Sequence, residues 1–218
     1  MEKLSTKLVA FDFVGTIVEP RLFERAKARL RVDFVGLWSW ADVASGFSTH
    51  FDYSTLLAKI LEKSSDVLAA AFRDDIVSNA VPSLYPEVGE VLRLLRSKGI
   101  LLGFVTDGSD DVEGAAISRI LHNSGISPRE CIVVTAQQVG APKVTGRPFD
   151  ELAERSARLG VSREEILFVG DSPENDIQGA GKAGLLALLL VREQAPNGSS
   201  GPQPRHISDL RELSGFLE

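Results

Sequence analysis

Cysteine is almost missing from this sequence. Cys131 is the only one among 218 residues. One thiol excludes an internal disulfide and fits a reducing, cytoplasmic setting. Positive charge is not in excess either: 24 Lys and Arg stand against 30 Asp and Glu, a net charge of −6, without a basic cluster. That balance argues against nucleic acid or an anionic membrane as the main partner. No long hydrophobic run exists. "GLLALLLV" (184–191) is the most apolar stretch, far short of the roughly 20 residues of a membrane span, and reads as a core strand. The apolar N-terminal stretch is brief and broken by Asp12, which does not fit a signal peptide. Repeats and coiled-coil heptads are absent as well.

The chain does hold enough apolar residues for a sizeable core, 44% of the total. They fall in five short runs: 8–13, 100–105, 131–135, 166–169 and 185–191. None alternates polar with apolar, which suits parallel strands covered on both faces. Helical patterns lie between most of them. "PEVGEVLRLLRSKG" (86–99), "DDVEGAAISRILHNSG" (110–125) and "PFDELAERSARLG" (148–160) are each closed by glycine. Strands alternating with helices predict an α/β protein with a doubly wound parallel sheet. Residues 18–80 carry helical patterns but no strand, too long a stretch for a simple crossover. They are expected to form an inserted helical domain, with 1–17 and 81–218 as the α/β core. Trp38, Trp40, His50 and Tyr53 lie in the least regular part of the insert. Residues 194–206 read as a Gly/Pro/Ser loop, and "SDLRELSGFL" as a closing helix capped by Ser208.

One acid is out of place in this pattern. Asp12 ends the first apolar run, where an isolated buried carboxylate is costly unless something pairs with it. Ligands of open α/β sheets bind beyond the carboxyl ends of the strands. Those ends carry Asp12 and "VGT", then "TDGS" (106–109), then "TAQQVGAPK" with Lys143, then "GDSPEND" with Asp171 and Asp176. Glycine turns, a threonine and a lysine make an anion site. Three acids in the same place would repel a phosphate. Mg²⁺, a hard cation that takes carboxylate and phosphate oxygens, reconciles the two. An aspartate between that cation and a phosphate is a candidate nucleophile.

The chain at this point resembles the haloacid dehalogenase (HAD) superfamily of hydrolases. Its four motifs occur in order as "DFVGT" (12–16), "TDG" (106–108), Lys143 and "GDSPEND" (170–176). The likeness spans about 1–17 and 84–218, and the insert lies where the family places a helical cap. It implies a Rossmann-like core, an aspartyl-phosphate on Asp12, and Thr106 and Lys143 holding the phosphoryl oxygens. The backbone of Gly15, Thr16, Asp107 and Gly108 would help to bind substrate. Asp12, the Val14 carbonyl and Asp171 would hold Mg²⁺, with Asp176 as a further ligand or just behind them. The expected substrate is a small phosphorylated metabolite, and the chain a monomer or a homodimer.

Two departures qualify the likeness. Family phosphatases commonly have a second aspartate two residues after the nucleophile, which moves the leaving-group proton; here Val14 stands there. General acid/base catalysis contributes about 10²–10⁴-fold. Two branches also lack that acid. The L-2-haloacid dehalogenases need no metal, and their fourth motif has Ser-Asn where two acids stand here. The phosphonoacetaldehyde hydrolases use a cap lysine, for which Lys27, Lys59 and Lys63 are candidates. A catalytically silent relative that binds a phosphometabolite or a protein is the reading from another class. The second departure is "KVTGRPF" (143–149), which lacks the family's prolines after the lysine and leaves Arg147 free to turn toward the site. Blander roles stand beside these: Asp171 as a helix cap, Asp176 as a first-turn acid, Asp107 as a turn residue.

Overall fold

The computed structural model describes residues 5–29, 66–192 and 205–217. Six parallel strands form one sheet in the order β3-β2-β1-β4-β5-β6. They are β1 (Leu8–Phe11), β2 (Leu101–Thr106), β3 (Cys131–Thr135), β4 (Ile166–Gly170), β5 (Leu186–Leu190) and β6 (His206–Ile207). The helices are α1 (Arg21–Arg29), α2 (Asp66–Asn79), α3 (Val88–Ser97), α4 (Ala115–Asn123), α5 (Ala136–Val139), α6 (Arg147–Ala157) and α7 (Gly179–Lys182). The doubly wound α/β architecture expected from the apolar runs is the one observed.

Both faces of the sheet are covered, which explains why the strand runs are unbroken. Val9, Phe11, Leu102, Phe104, Leu167 and Val169 point to one face, where α1 to α4 and the C-terminal turn pack. Leu8, Ala10, Ile166 and Phe168 point to the other, against Phe149 and Leu152 of α6. There Phe149 and Phe168 meet edge to face, with centroids 4.8 Å apart. Gly103 in β2 permits this layer, since a Cβ there would lie 3.1 Å from Leu152.

The three expected helices are present, with one difference. The stretch 110–125 opens with a π-helical segment, Asp110–Gly114, before α4 begins. Two expectations near the C-terminus are corrected. The loop ends in a short strand, because Leu189 N–H donates to Arg205 O at 2.9 Å and Val191 N–H to Ile207 O at 2.8 Å. The closing element is a 3₁₀ turn, Leu210–Gly215, and Asp209 caps it rather than Ser208. The Asp209 carboxylate accepts from Arg211 N–H, and the Ser208 hydroxyl instead donates to Glu212 at 2.6 Å.

Of the stretch expected as an insert, 18–80, α1 and α2 are described. Phe23 and Phe72 pack with ring centroids 6.2 Å apart, and Leu22, Ala26, Phe72 and Ile76 join the apolar cluster beneath the sheet. Trp38, Trp40, His50, Tyr53, Lys59 and Lys63 lie outside the described residues. No helix among the described residues is long and apolar enough to cross a membrane.

Candidate active site

The carboxyl ends of β1, β2 and β4 bring the sequence motifs to one rim. Asp12 directly follows β1, and its N–H donates to Val169 O of the neighbouring strand at 2.9 Å. The chain then turns sharply. Ile17 and Val18 N–H both reach Phe13 O, and Gly15 N–H donates to Val18 O at 2.8 Å. Gly15 adopts φ +90°, and a Cβ there would sit 2.1 Å from an Asp171 carboxylate oxygen. Only glycine allows both the left-handed turn and that approach. Its N–H is thus used within the turn, so what Gly15 gives the site is shape. Thr16 N–H makes no hydrogen bond among the described residues.

Thr106 is the last residue of β2 and is buried. Its Oγ1 accepts from Gly108 N–H at 3.3 Å, which leaves its own proton to donate. Asp107 N–H has no partner among the described residues. The Asp107 carboxylate accepts from the backbone N–H of Lys143 at 2.6 Å. Burial raises its pKa, against the nearby Lys143 charge.

That contact answers the missing prolines. Lys143 opens a short 3₁₀ turn, Lys143–Thr145, closed by Gly146 at φ +86°. Asp107 clamps the turn from one side. On the other, Gly179 lets it dock, because a Cβ there would lie 2.4 Å from Lys143 O. The residue is 4% exposed, and its Nζ donates to Asp12 Oδ1 at 2.5 Å and to Asp176 Oδ1 at 2.6 Å. Arg147 does not turn inward: it is exposed in the first turn of α6, with no ion pair to these acids among the described residues.

Asp176 is fully buried, and its second oxygen accepts from Ser172 N–H at 2.9 Å. Gly170 makes room for it, since a Cβ there would meet Asp176 Oδ2 at 2.3 Å. Asp171 is the exposed member, at the mouth. It is not the helix cap, a role taken by Ser172, whose hydroxyl accepts from Asn175 N–H. Asp12, Asp171 and Asp176 each offer one oxygen, and the three oxygens lie within 4.8 Å of one another.

Three carboxylates facing one ammonium leave negative charge uncompensated. Burial pushes Asp12 up to about 8, opposed by Lys143 and reinforced by Asp176 and Asp171. Asp171 rises to about 6, from partial desolvation and the Asp176 charge. Burial alone would lower Lys143, but the charges of Asp12, Asp176 and Asp107 outweigh it and hold it firmly protonated. Asp12 Oδ2 and Thr16 Oγ1 are buried without a hydrogen-bond partner. A buried acceptor left open costs about 1–3 kcal/mol. A cation beside Asp12 would satisfy one of them, and an all-oxygen donor set suits Mg²⁺. The residues therefore fit the metal.

Val14, half-buried, forms a bridge with Val18 and packs against the apolar cluster. Its side chain can neither donate nor accept a proton.

One group at the rim escaped the sequence reading. Arg192, two residues beyond β5, donates to Gly15 O at 3.2 Å, Thr16 O at 2.8 Å and Glu87 Oε1 at 2.6 Å. Its guanidinium carbon lies 3.4 Å from the centre of the Tyr85 ring. Its only sequence signal is its place after the fifth apolar run, outside any motif. Arg192, Tyr85, Gly15, Glu19 and Asp171 line a cleft of about 750 Å³. A smaller hollow of about 190 Å³ lies between α3 and the C-terminal turn, away from the acids.

The chain is similar in sequence to known phosphatases. A phosphoserine phosphatase from Thermus thermophilus is 29% identical over 152 residues, 70% of this chain and 57% of that protein. A glyceraldehyde 3-phosphate phosphatase from Methanopyrus kandleri is 32% identical over 173 residues, 78% of this chain and 68% of that protein. The chain thus spans between about half and two thirds of the length of these curated relatives. Among solved structures, a 2-haloacid dehalogenase from Pseudomonas syringae superposes with TM-score 0.71 at 23% identity, covering 97% of each chain. The putative HAD-hydrolase YfnB from Bacillus subtilis, bound to magnesium, gives TM-score 0.67 at 22% identity over 99% of each chain; both likenesses concern the fold. The family model for haloacid dehalogenase-like hydrolases matches residues 6–184, and the chain belongs to that family.

Proposed function

We propose that this chain is a Mg²⁺-dependent phosphohydrolase acting on small phosphorylated metabolites through an aspartyl-phosphate on Asp12. One observation carries the reading: Lys143 Nζ bridges Asp12 and Asp176 inside the core, while the other oxygen of Asp12 is buried without a partner. A purely structural ion pair does not need that open oxygen beside two further acids.

The roles follow from what each group can do. An Asp12 carboxylate oxygen attacks phosphorus, the bond to the leaving oxygen breaks, and water then hydrolyses the acyl phosphate to return Asp12 and release phosphate. Lys143 favours the ionised form of Asp12 against the effect of burial and neutralises phosphoryl charge. The Thr106 hydroxyl and the N–H groups of Thr16 and Asp107 donate to phosphoryl oxygens, in the manner of preorganised donors elsewhere. Gly15 and Gly108 shape the two turns. Asp12, Asp171, Asp176 and the Val14 carbonyl would hold Mg²⁺, which when bound supplies charge neutralisation and polarises the phosphoryl group. Residues 18–80 are taken to correspond to the family's inserted cap, of which α1 and α2 are described.

Val14 sets the substrate preference. Without a proton donor at that position, the chain favours leaving groups that need little protonation, such as acyl or aryl phosphates. The phosphatase relatives support a small phosphorylated substrate. The two acids in "GDSPEND" argue against metal-free dehalogenation. A silent relative remains the competing reading, since Val14 removes one catalytic group. A panel of phosphoesters and phosphonates, with and without Mg²⁺, separates them. Turnover that needs Mg²⁺ and vanishes in Asp12→Asn is the expected result. Activity that persists in Asp12→Asn removes the covalent mechanism, and binding without turnover across the panel supports the silent relative.

A further inference from the structure

The nucleophile's loop is held from behind by a residue that none of the four motifs contains. Arg192 places three donors on three acceptors: the carbonyls of Gly15 and Thr16 and the carboxylate of Glu87. Glu87 is 5% exposed, so the arginine has a buried counter-ion and cannot swing freely. Tyr85 stacks beneath the guanidinium. A planar fork bound at several points in this way has one orientation.

Peptide geometry carries the consequence forward. In a planar trans peptide the C=O and the following N–H point in opposite directions. The Gly15 carbonyl shares its peptide plane with Thr16 N–H. An arginine that fixes this carbonyl on one side therefore fixes where Thr16 N–H points on the other. The Thr16 carbonyl shares its plane with Ile17 N–H, which is tied to Phe13 O at 2.9 Å. The second plane is thus pinned at both ends, and Thr16 N–H is the donor left open. Charge-assisted bonding at a carbonyl also polarises the amide beyond it, which strengthens its N–H as a donor.

We propose that Arg192 is a positioning residue for the phosphoryl-binding loop. By holding the Gly15 and Thr16 carbonyls, it aims and polarises Thr16 N–H toward the anion bound at Asp12. Glu87 and Tyr85 keep it in place. This inference rests on the phosphohydrolase reading above, and it assigns the loop's anion affinity to a residue contributed by the end of β5.

The test uses the full chain with Mg²⁺ and inorganic phosphate, measured by calorimetry and by the amide resonance of Thr16. Wild type is expected to bind phosphate, with a downfield shift of the Thr16 amide proton. In Arg192→Gln, phosphate affinity should fall about tenfold or more and the Thr16 response should be lost, with cooperative melting retained. Arg192→Lys keeps the charge but loses the fork, and should fall between the two. Glu87→Gln loosens the anchor and should show a smaller loss in the same direction. Wild-type affinity together with an unchanged Thr16 response in Arg192→Gln overturns the inference. If that variant does not fold, the same result in both Arg192→Lys and Glu87→Gln overturns it. Absence of phosphate binding in wild type overturns the phosphohydrolase reading, and this inference with it.

Discussion

On the phosphohydrolase reading the chemistry turns on Val14. It stands where that reading calls for a proton-moving acid, yet it is half-buried and packed against apolar neighbours. An acid placed there borders the same turn as Asp12 and can protonate a leaving alkoxide. Val14→Asp is expected to raise turnover of a simple phosphate monoester about tenfold or more, within the span of general acid/base effects. Steady-state rates of the two proteins at one Mg²⁺ concentration measure it. An unchanged rate, with fold and metal binding intact, counts against the assignment of that position. The activity of Asp12→Asn is decided at the same scale. It keeps the shape of the side chain but removes the charge that attacks phosphorus, so its turnover on every ester of the panel should drop to background.

Among the elements, the short turn that carries Lys143 is held in place by contacts from outside it. Asp107 holds the turn through the Lys143 N–H, and Gly179 of α7 lets its backbone settle against the helix. Gly179→Ala places a Cβ against Lys143 O and the Phe149 ring, where backbone has little room to yield. A destabilisation of roughly 1–3 kcal/mol is expected from such overpacking, with a fall in activity as Lys143 shifts; thermal melting and kinetics read the two effects. The same elements show what sequence makes legible. The five apolar runs announced β1 to β5, because strands covered on both faces must be apolar throughout. Asp12, Lys143 and Asp176, which meet through Lys143 Nζ, were readable because they follow those runs. The sixth strand was not readable: His206–Ile207 is too short for any periodicity, and only its bonds to β5 define it. Arg192 escaped for a similar reason. Its four partners come from residues 15, 16, 85 and 87, and only the folded sheet edge brings those together. Asp209 displaced Ser208 as the cap because its carboxylate also pairs with the Arg211 guanidinium at 2.6 Å, a contact local patterning does not rank.

For the whole molecule, the acid cluster ties stability to pH and metal. Asp12 is held at about 8 when folded, against an ordinary carboxylate value near 3.8, and Asp171 at about 6. Between those limits the folded chain binds protons that the unfolded chain does not, so stability falls as pH rises. The contribution is fully present below about pH 4 and is lost through about pH 8. Asp209, held down at about 2 by Arg211, acts in the opposite sense only below that window. Metal-stripped protein is therefore expected to melt at a lower temperature at about pH 9 than at about pH 6. Asp12→Asn should flatten that slope, and Mg²⁺ should raise the melting temperature most at the alkaline end. A pH-independent melting curve for the stripped protein would contradict the crowding of acids described here. The sheet order has a consequence of its own for how the chain is made. Leu8 pairs with Leu101 on one side but with Ile166 on the other, so β1 needs a partner, β4, that is made long after it. Until the β4 segment emerges, the nascent β1 has one bare edge, the kind of surface that invites chaperones or mispairing with another chain. Asp12, the proposed nucleophile, directly follows that waiting strand, so its surroundings are completed only when β4 is in place.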